Sequence, residues 1–345
     1  MIDTEKLLEA YNKDGFYALQ LEIGDVCYQN CSYCYMNALF ETKNQLSDYE
    51  IFKILDDSKE IGITAIEWLG GEPLLRDQVF EFLKYSQKLG FRNNMWTGGL
   101  PLAEEKVAEQ CAVLCSNGLI AFHLSTLNKE IYEILHPQRT AEDIDTILKG
   151  VEYLLEIGYP SEKLLNSVTF TGYQTAEDMI ATIEFFQKNY GIATCVNVYH
   201  TYLRPGQSLS ELNKFIPPSK EVEKVYKYLK KINNTDIIPM NCVNKQYCSA
   251  TLAVLNNGFV TPCATIREER EGMNIKFASL KEIVAKERDY LIFKEMKSWD
   301  GLPESCKECY QNEFCFGCRS RAYAAGLGIY GEDPRCYQIN YRSSL

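Results

Sequence analysis

The 345-residue chain has little basic charge and no long hydrophobic run. Its 36 Lys and Arg are outnumbered by 47 Asp and Glu, which gives a net charge of −11. Proteins that bind nucleic acid normally present a basic surface, so we expect no nucleic-acid partner. No apolar stretch approaches the roughly 18 residues that a membrane span needs, and the first residues lack the pattern of a signal peptide. We therefore predict a cytoplasmic protein with no membrane partner.

Cysteine, by contrast, is abundant. The 14 Cys are too few for a disulfide scaffold in a chain of this length. Eleven of them fall into three groups: Cys27, Cys31 and Cys34; Cys242, Cys248 and Cys263; and Cys306, Cys309, Cys315, Cys318 and Cys336. Clustered thiols in a chain without a secretion signal indicate metal ligands rather than disulfides. Two of the scattered ones, Cys111 and Cys115, lie four apart on one predicted helix, and we expect them to pack in the core.

Between about residues 17 and 202, short β-rich runs alternate with longer helical patterns, which is typical of parallel β/α units. Helices are predicted over 47–61, where Ser47 and Glu50 form a capping box, and over 176–190. Six units are too few to close an eight-stranded barrel, so we predict an α/β fold with an open, partial (β/α)6 TIM-like barrel. The six strands are predicted at 17–26, 63–69, 91–97, 119–125, 165–171 and 193–202.

The pattern changes beyond residue 202. A Lys-rich helix is predicted around 222–232, and a β-hairpin at 251–254 and 258–261 turns through Asn256-Asn257-Gly258. A helix from 279 to about 296 precedes a Cys-dense tail that needs cross-links to fold, which metal clusters would supply. We predict three segments, with their limits: the barrel at 1–202, a linker with a bridging helix at 203–240, and a cysteine-rich extension at 241–345.

Two motifs stand at the ends of successive predicted strands: Cys27-Tyr28-Gln29-Asn30-Cys31-Ser32-Tyr33-Cys34 and Gly70-Gly71-Glu72-Pro73. With both, the chain resembles the radical S-adenosylmethionine (radical SAM) superfamily. The resemblance implies that Cys27, Cys31 and Cys34 hold a [4Fe–4S] cluster with one open iron, which binds S-adenosylmethionine. The residues alone leave a zinc site with a distant fourth ligand as the alternative.

The resemblance also implies contacts with S-adenosylmethionine. Tyr33 would flank the adenine, and Gly70, Gly71 and Glu72 would bind the methionyl amine. Ser125, at the end of the fourth predicted strand, is a further candidate cofactor ligand. Its alternative role is to cap the helical segment 128–135.

The later cysteines resemble the SPASM extension of one branch of the same superfamily, which binds two auxiliary [4Fe–4S] clusters. The alternative is a zinc ribbon, although the interval between its two Cys pairs is short for that fold and leaves the 242–263 group unexplained. The last pair is also one residue closer than is common, which leaves open which cluster Cys315 and Cys318 each bind. The ligand sets that the resemblance implies are Cys242, Cys248, Cys263 and Cys318 for one cluster, and Cys306, Cys309, Cys315 and Cys336 for the other.

Candidate catalytic residues come from strand alternation. Cys195 shares a face with Asn197 and is predicted to line the barrel interior, where its thiol would donate a hydrogen atom; the alternative is a small buried hydrophobe. Glu22 and Glu67 are predicted to point inward, as a base or as partners of a cationic substrate group; the alternative is a salt bridge to a barrel Arg or Lys. The three histidines show no ligand spacing, and we expect them to be structural: His123, His136 and His200.

The implied activity is reductive cleavage of S-adenosylmethionine, followed by abstraction of a hydrogen atom from a substrate in a dry cavity. We expect a flavodoxin- or ferredoxin-type reductant, and a ribosomally made peptide as the substrate. The alternative is a small molecule such as an amino sugar or a tetrapyrrole. The short stretch before the first strand favours this alternative, because we expect no separate leader-binding domain there. Ala264 stands where sulfatase-maturating members carry an Asp, which disfavours that activity. A third candidate is a non-enzymatic electron carrier that only holds iron–sulfur clusters. Such a protein would not need Gly70-Gly71-Glu72, which disfavours it.

Overall fold

The computed structural model describes residues 2–199 and 208–338, apart from the side chain of Leu209. One sheet contains the strands in the order β6-β5-β4-β3-β2-β1-β7-β8, and within the described residues its two edges do not pair. Strands β1 to β6 are parallel and follow one another in space as they do in sequence, which confirms the predicted open partial barrel. The strands are β1 Ala18–Glu22, β2 Ala65–Leu69, β3 Arg92–Trp96, β4 Leu119–Phe122, β5 Leu164–Phe170, β6 Ala193–Val198, β7 Thr251–Val254 and β8 Val260–Thr261.

The strands are amphipathic across the sheet. Outward residues such as Leu19 and Ile66 are fully buried against the surrounding helices. Inward residues are mostly polar, and Gln20 and Glu67 lie directly beside each other in the β1–β2 register. Because side chains alternate along a strand, the inward set of β1 to β6 encloses one space, which we call the lumen.

Strand β7 was predicted as half of a separate hairpin, but it also extends the barrel sheet. Ala18 pairs with Thr251 and Leu21 with Val254, so β7 is a parallel neighbour of β1, while β8 closes the hairpin antiparallel to β7. The hairpin is therefore confirmed and the pairing with β1 is new. The predicted segment limits at 1–202, 203–240 and 241–345 stay a prediction.

Helices connect the strands and cover the outer face of the sheet. Ser47 and Glu50 form the predicted capping box, whereas the helix after Ser279 ends at Leu291, because Phe293 adopts a left-handed backbone (φ 51°). The helices are α1 Thr4–Asn12, α2 Asp48–Glu60, α3 Val79–Lys88, α4 Glu105–Leu114, α5 Lys129–Leu135, α6 Glu142–Glu156, α7 Ala176–Tyr190, α8 Leu209–Asn213, α9 Ser219–Asn233, α10 Lys245–Cys248, α11 Leu280–Leu291, α12 Lys294–Lys297, α13 Glu304–Lys307 and α14 Arg319–Ala324. No helix within the described ranges has both the length and the apolar content to span a bilayer.

The C-terminal tail is organised around buried arginines rather than long helices. Arg319 donates to the backbone carbonyls of Gly317 and Ile329, at 3.1 Å each. Arg321 forms a fully buried ion pair with Asp333 at 2.7 Å, and the same carboxylate accepts from the backbone N–H of Cys318 at 2.7 Å. These bonds hold the cysteine-bearing turns together where little regular structure is present.

Candidate active site

The first cysteine group lies on the loop that follows β1, at the carboxyl end of the sheet. The loop is closed by a hydrogen bond from Cys27 N to Leu39 O at 2.8 Å, and Cys34 N donates to Cys31 O at 3.1 Å. Burial and then the nearby carboxylate of Glu72 raise the pKa of Cys27 to about 12. The structure therefore places this loop and the Glu72 motif side by side.

Glycines allow the ends of β1 and β2 to approach this closely. Gly71 N donates to Gly24 O at 3.0 Å, and Glu72 N donates to Val26 O at 2.7 Å. A Cβ on Gly71 would lie 2.2 Å from Val26 O, and Gly70 has a φ of +148° with Gly24 O 2.8 Å from its would-be Cβ. Both positions require glycine for backbone reasons, before any cofactor is considered.

Glu72 links the ends of β2 and β3. Its Oε2 accepts from Thr97 Oγ1 and from the backbone N–H of Gly98, both at 2.7 Å. Its Oε1 accepts from Leu74 N at 3.1 Å. Burial raises the pKa of Glu72 to about 7. A buried carboxylate beside Cys27 fits the ammonium of an amino acid, because a cation would offset the cost of burying the charge.

Tyr33 lies in a network with two histidines that sequence reasoning treated as structural. Its hydroxyl is 2.5 Å from His123 Nε2, 3.2 Å from His136 Nε2 and 3.5 Å from Ser125 Oγ. His136 is fully buried, and its Nδ1 lies 2.9 Å from Tyr132 O. Burial lowers the pKa of His123 to about 4 and that of His136 to about 3, so both rings are neutral.

The hydrogen bonds of Ser125 show that it is not a helix cap. Ser125 does not cap the following helix, because Asn128 accepts from the first backbone N–H groups of α5. Ser125 Oγ instead accepts from Thr169 N at 3.0 Å and lies 3.0 Å from His123 Nε2. Strand alternation could have placed His123 inward, whereas nothing in the sequence connects His136 to Tyr33. His200 lies outside the described residues.

The second cysteine group gathers around the β7–β8 hairpin. Cys248 ends α10 just before β7, and Cys263 follows β8. A hydrogen bond with Cys242 and then burial raise the pKa of Cys248, and the neighbouring thiols of Cys242, Cys263 and Cys318 raise it further. The structure therefore brings together the four cysteines that the resemblance assigned to one auxiliary cluster, including Cys318 from the tail.

The remaining cysteines of the third group lie near one another, apart from Cys318. Burial raises the pKa of Cys315, and the neighbouring thiols of Cys336, Cys306 and Cys309 raise it further. Among residues 2–199 and 208–338, no three His, Cys, Asp or Glu side chains converge tightly enough for a single metal ion. The ligand roles of these thiols, for iron–sulfur clusters or for zinc, therefore stay a prediction.

Glu67 points into the lumen as predicted, but its carboxylate is fully engaged. Oε1 accepts from Asn94 Nδ2 at 2.7 Å and from the hydroxyl of Tyr247 at 2.8 Å. Oε2 accepts from the indole N–H of Trp96 at 2.6 Å. Burial raises the pKa of Glu67, and the three donors oppose this shift. Because Tyr247 precedes Cys248, Glu67 connects the barrel to the second cysteine group.

Glu22 takes the alternative that the sequence left open, a salt bridge. Its Oε1 pairs with Arg267 at 2.7 Å, and its Oε2 accepts from Asn256 N at 3.0 Å. Tyr35, next to Cys34, also donates to Glu22 at 3.3 Å. This fully buried carboxylate joins the first cysteine loop to the segment that follows Cys263.

Cys195 lines the lumen with an accessible side chain, opposite Ser167 in the β5–β6 register. It also lies deep inside the protein, and burial, followed by the nearby Cys242, raises its pKa to about 11. The buried-hydrophobe alternative therefore fails for Cys195, whereas Cys111 and Cys115 are fully buried in the outer core.

The comparisons with known proteins agree with this geometry. The model of the Radical SAM superfamily matches residues 21–186, from β1 to the middle of α7. The chain thus contains a Radical SAM domain. It is a radical SAM enzyme and uses S-adenosylmethionine with an iron–sulfur cluster. Cys27, Cys31, Cys34 and Glu72 are the residues whose chemistry fits these groups.

Solved structures extend the likeness over nearly the whole chain. Streptococcus suis SuiB bound to S-adenosylmethionine is 18% identical, covers 97% of this chain and 81% of its own, and superposes with a TM-score of 0.68. Native anSMEcpe with bound AdoMet is 16% identical, with 95% and 99% coverage and a TM-score of 0.64. This radical SAM enzyme thus has a partial barrel followed by a SPASM-type extension.

Curated sequence relatives have a different kind of substrate in their names. A probable GTP 3′,8-cyclase from Methanothermobacter thermautotrophicus is 26% identical over 265 residues, which cover 71% of this chain and 83% of the relative. Fold relatives bound to peptides and sequence relatives that act on a nucleotide leave the substrate open.

Proposed function

We propose that this radical SAM enzyme modifies a ribosomally made peptide by crosslinking, epimerisation or oxidation. One cluster is held by Cys27, Cys31 and Cys34, and the two auxiliary clusters by the ligand sets given above. A flavodoxin- or ferredoxin-type protein supplies the electrons. When bound, the first cluster and S-adenosylmethionine supply a 5′-deoxyadenosyl radical that removes a hydrogen atom from the peptide.

The observation that carries the choice of a peptide is the charge of the lumen walls. The six barrel strands contain a single basic residue, Arg92, at the start of β3, where its guanidinium donates to the hydroxyl of Tyr17 at 2.8 Å. The inward acidic residues are already bonded, Glu22 to Arg267 and Glu67 to its three donors. A nucleoside triphosphate needs several cations around its phosphates. A largely uncharged polar wall suits a peptide backbone better.

The fold relatives support the same choice. SuiB has been crystallised with its precursor peptide SuiA, and anSMEcpe with a peptide, and each covers at least 95% of this chain. The small-molecule alternative is favoured by the GTP 3′,8-cyclase relatives. It predicts basic side chains near the reacting centre, and the described strands do not provide them.

The chain's own residues then have distinct tasks. Glu72 receives the ammonium of S-adenosylmethionine beside Cys27, and Tyr33 and Ser125 flank its nucleoside. Glu22 and Glu67 act as positioning residues, because Glu22 forms an ion pair with Arg267 and Glu67 accepts from Tyr247, next to the second cysteine group. Cys195 keeps its role as the candidate hydrogen donor, since its thiol is protonated and faces the lumen.

The test uses anaerobically reconstituted enzyme with S-adenosylmethionine, a reductant, and either a short peptide encoded beside the gene or GTP. We expect 5′-deoxyadenosine to form in proportion to a modified peptide, detected by mass spectrometry. Turnover with GTP and none with any peptide would overturn the peptide assignment while leaving the radical SAM chemistry intact. In the Cys195→Ala variant, 5′-deoxyadenosine still forms if Cys195 acts after hydrogen abstraction.

A further inference from the structure

A cavity of about 320 Å³ lies outside the lumen, beside the edge strand β6. Its lining includes Val198 at the end of β6, the Pro217-Pro218-Ser219 turn that opens α9, and Arg335 from the tail. None of the residues discussed above as cluster or cofactor ligands lines it. The cavity is therefore separate from the candidate active site, although it stands at the open edge of the barrel.

Arg335 is the charged side chain of this cavity, and it is unpaired. The Nε atom is buried and has no hydrogen-bond partner, and within the described part of the chain the guanidinium forms no ion pair. A buried N–H donor without an acceptor is costly, and a bound anion would supply the acceptor. The half-buried position of Arg335 thus points to a ligand rather than to solvation alone.

The nearest carboxylate cannot serve as that anion. Asp333 Oδ2 is occupied by Arg321 and by Cys318 N, both at 2.7 Å, and its Oδ1 accepts from the backbone N–H of Arg335 at 3.0 Å. One buried carboxylate therefore faces two guanidinium groups. Among the described carboxylates, none forms an ion pair with Arg335.

The N-terminus of α9 adds to the positive electrostatic potential in the cavity. The helix has 15 residues, and its first turn lines the cavity, so the positive end of its dipole is directed there. Its N-cap residue is Pro218, whose side chain cannot accept a hydrogen bond from the first turn. The guanidinium remains the main contact, and the helix end adds to its attraction for an anion.

A peptide substrate could also bind by adding a strand to the free edge of β6, but at Val198 this is not possible. Val198 N donates to Asn241 Oδ1 at 2.9 Å, and Asn241 Nδ2 donates to Val198 O at 2.7 Å. Both backbone groups of Val198 are thus taken by a side chain. A substrate that leaves the lumen over this edge must be held by its side chains.

We propose that this cavity binds a carboxylate group of the substrate, with Arg335 as the specificity-determining residue. Resting on the proposed function, the ligand is an acidic side chain of the peptide, held outside the lumen while another part of the peptide reacts inside it. Arg335 presents two parallel N–H donors that match the two oxygens of a carboxylate.

The experiment measures binding rather than turnover. Phenylglyoxal, which modifies arginine, is applied to the reconstituted protein, and modification of Arg335 is followed by peptide mass spectrometry with the exposed Arg288 of α11 as the internal reference. The capped peptide Ac-Ala-Glu-Ala-NH2 should slow modification of Arg335 and not of Arg288. Ac-Ala-Gln-Ala-NH2 should protect neither residue.

Two variants and two further probes decide the outcome. Arg335→Gln should weaken binding of the Glu peptide by about tenfold, the usual effect of losing one charge-assisted contact, and Arg335→Lys should weaken it less. Equal protection by the Glu and Gln peptides, or unchanged binding in Arg335→Gln, would overturn the proposal. Stronger protection by inorganic phosphate would reassign the cavity to phosphate, and protection by glutarate alone would reassign it to a small acid. A peptide that protects Arg335 but is never modified separates this proposal from the proposed function.

Discussion

Replacing Gly71 by Ala tests whether close backbone contact builds the cofactor site. The new Cβ would lie 2.2 Å from Val26 O and 2.5 Å from Val26 C, more than about 1 Å inside an ordinary contact. The two loops must part, which breaks the hydrogen bonds Gly71 N to Gly24 O and Glu72 N to Val26 O. Two such bonds contribute about 1 kcal/mol each, and overpacking adds about 1–3 kcal/mol. We expect a loss of about 4 kcal/mol.

Gly24→Ala is the matched control, because a Cβ there meets nothing within 4 Å. Thermal unfolding followed by circular dichroism should show Gly71→Ala melting about 8 °C below the wild type, at about 2 °C for each kcal/mol. Gly24→Ala should melt close to the wild type and still form 5′-deoxyadenosine. Equal melting of Gly71→Ala and wild type, or an equal loss in both variants, would refute the reasoning.

Three further predictions concern buried polar groups. Glu67→Ala leaves three donors without an acceptor, so thermal unfolding should show a loss of at least about 3 kcal/mol; an unchanged melting temperature would instead indicate a purely catalytic carboxylate. His136 has a folded-state pKa of about 3, so the unfolded chain binds its proton first as the pH falls below 6.5. Between pH 6.5 and pH 5, urea unfolding should therefore show that the wild type loses about 2 kcal/mol more stability than His136→Gln does; equal losses in the two proteins would contradict this role. Iodoacetamide should label Cys195 before Cys111 in protein stripped of iron, because only Cys195 is accessible; the reverse order would place Cys195 in the core.

Local sequence patterns were sufficient to predict the strands and helices that carry the candidate site. The Ser47 capping box, the alternation around Glu67 and the spacing of the first cysteine group each depend on residues a few positions apart. These patterns predicted the six strands, although β1 ends at Glu22, four residues earlier than expected, where the chain turns into the Cys27 loop. Composition and spacing cannot locate such a turn to the residue.

Contacts between distant parts of the chain were beyond the sequence. Tyr247 bonds Glu67 across 180 positions, and β7 pairs with β1 through hydrogen bonds that no local pattern encodes. His136 reaches Tyr33 because α5 folds back over the cysteine loop, where Ser32 N donates to Leu135 O at 2.8 Å. Such pairings depend on which surfaces pack together, so they appear only when the fold is known.

The most direct measurement of the central claim is the formation of 5′-deoxyadenosine by protein reconstituted with iron and sulfide under anaerobic conditions. With S-adenosylmethionine and a reductant, we expect the nucleoside from the wild type and none from Cys31→Ala, which removes a proposed ligand of the first cluster while leaving the auxiliary cysteines in place. Formation of the nucleoside by Cys31→Ala, or its absence from fully loaded wild-type protein, would show that Cys31 does not hold a cluster that cleaves S-adenosylmethionine.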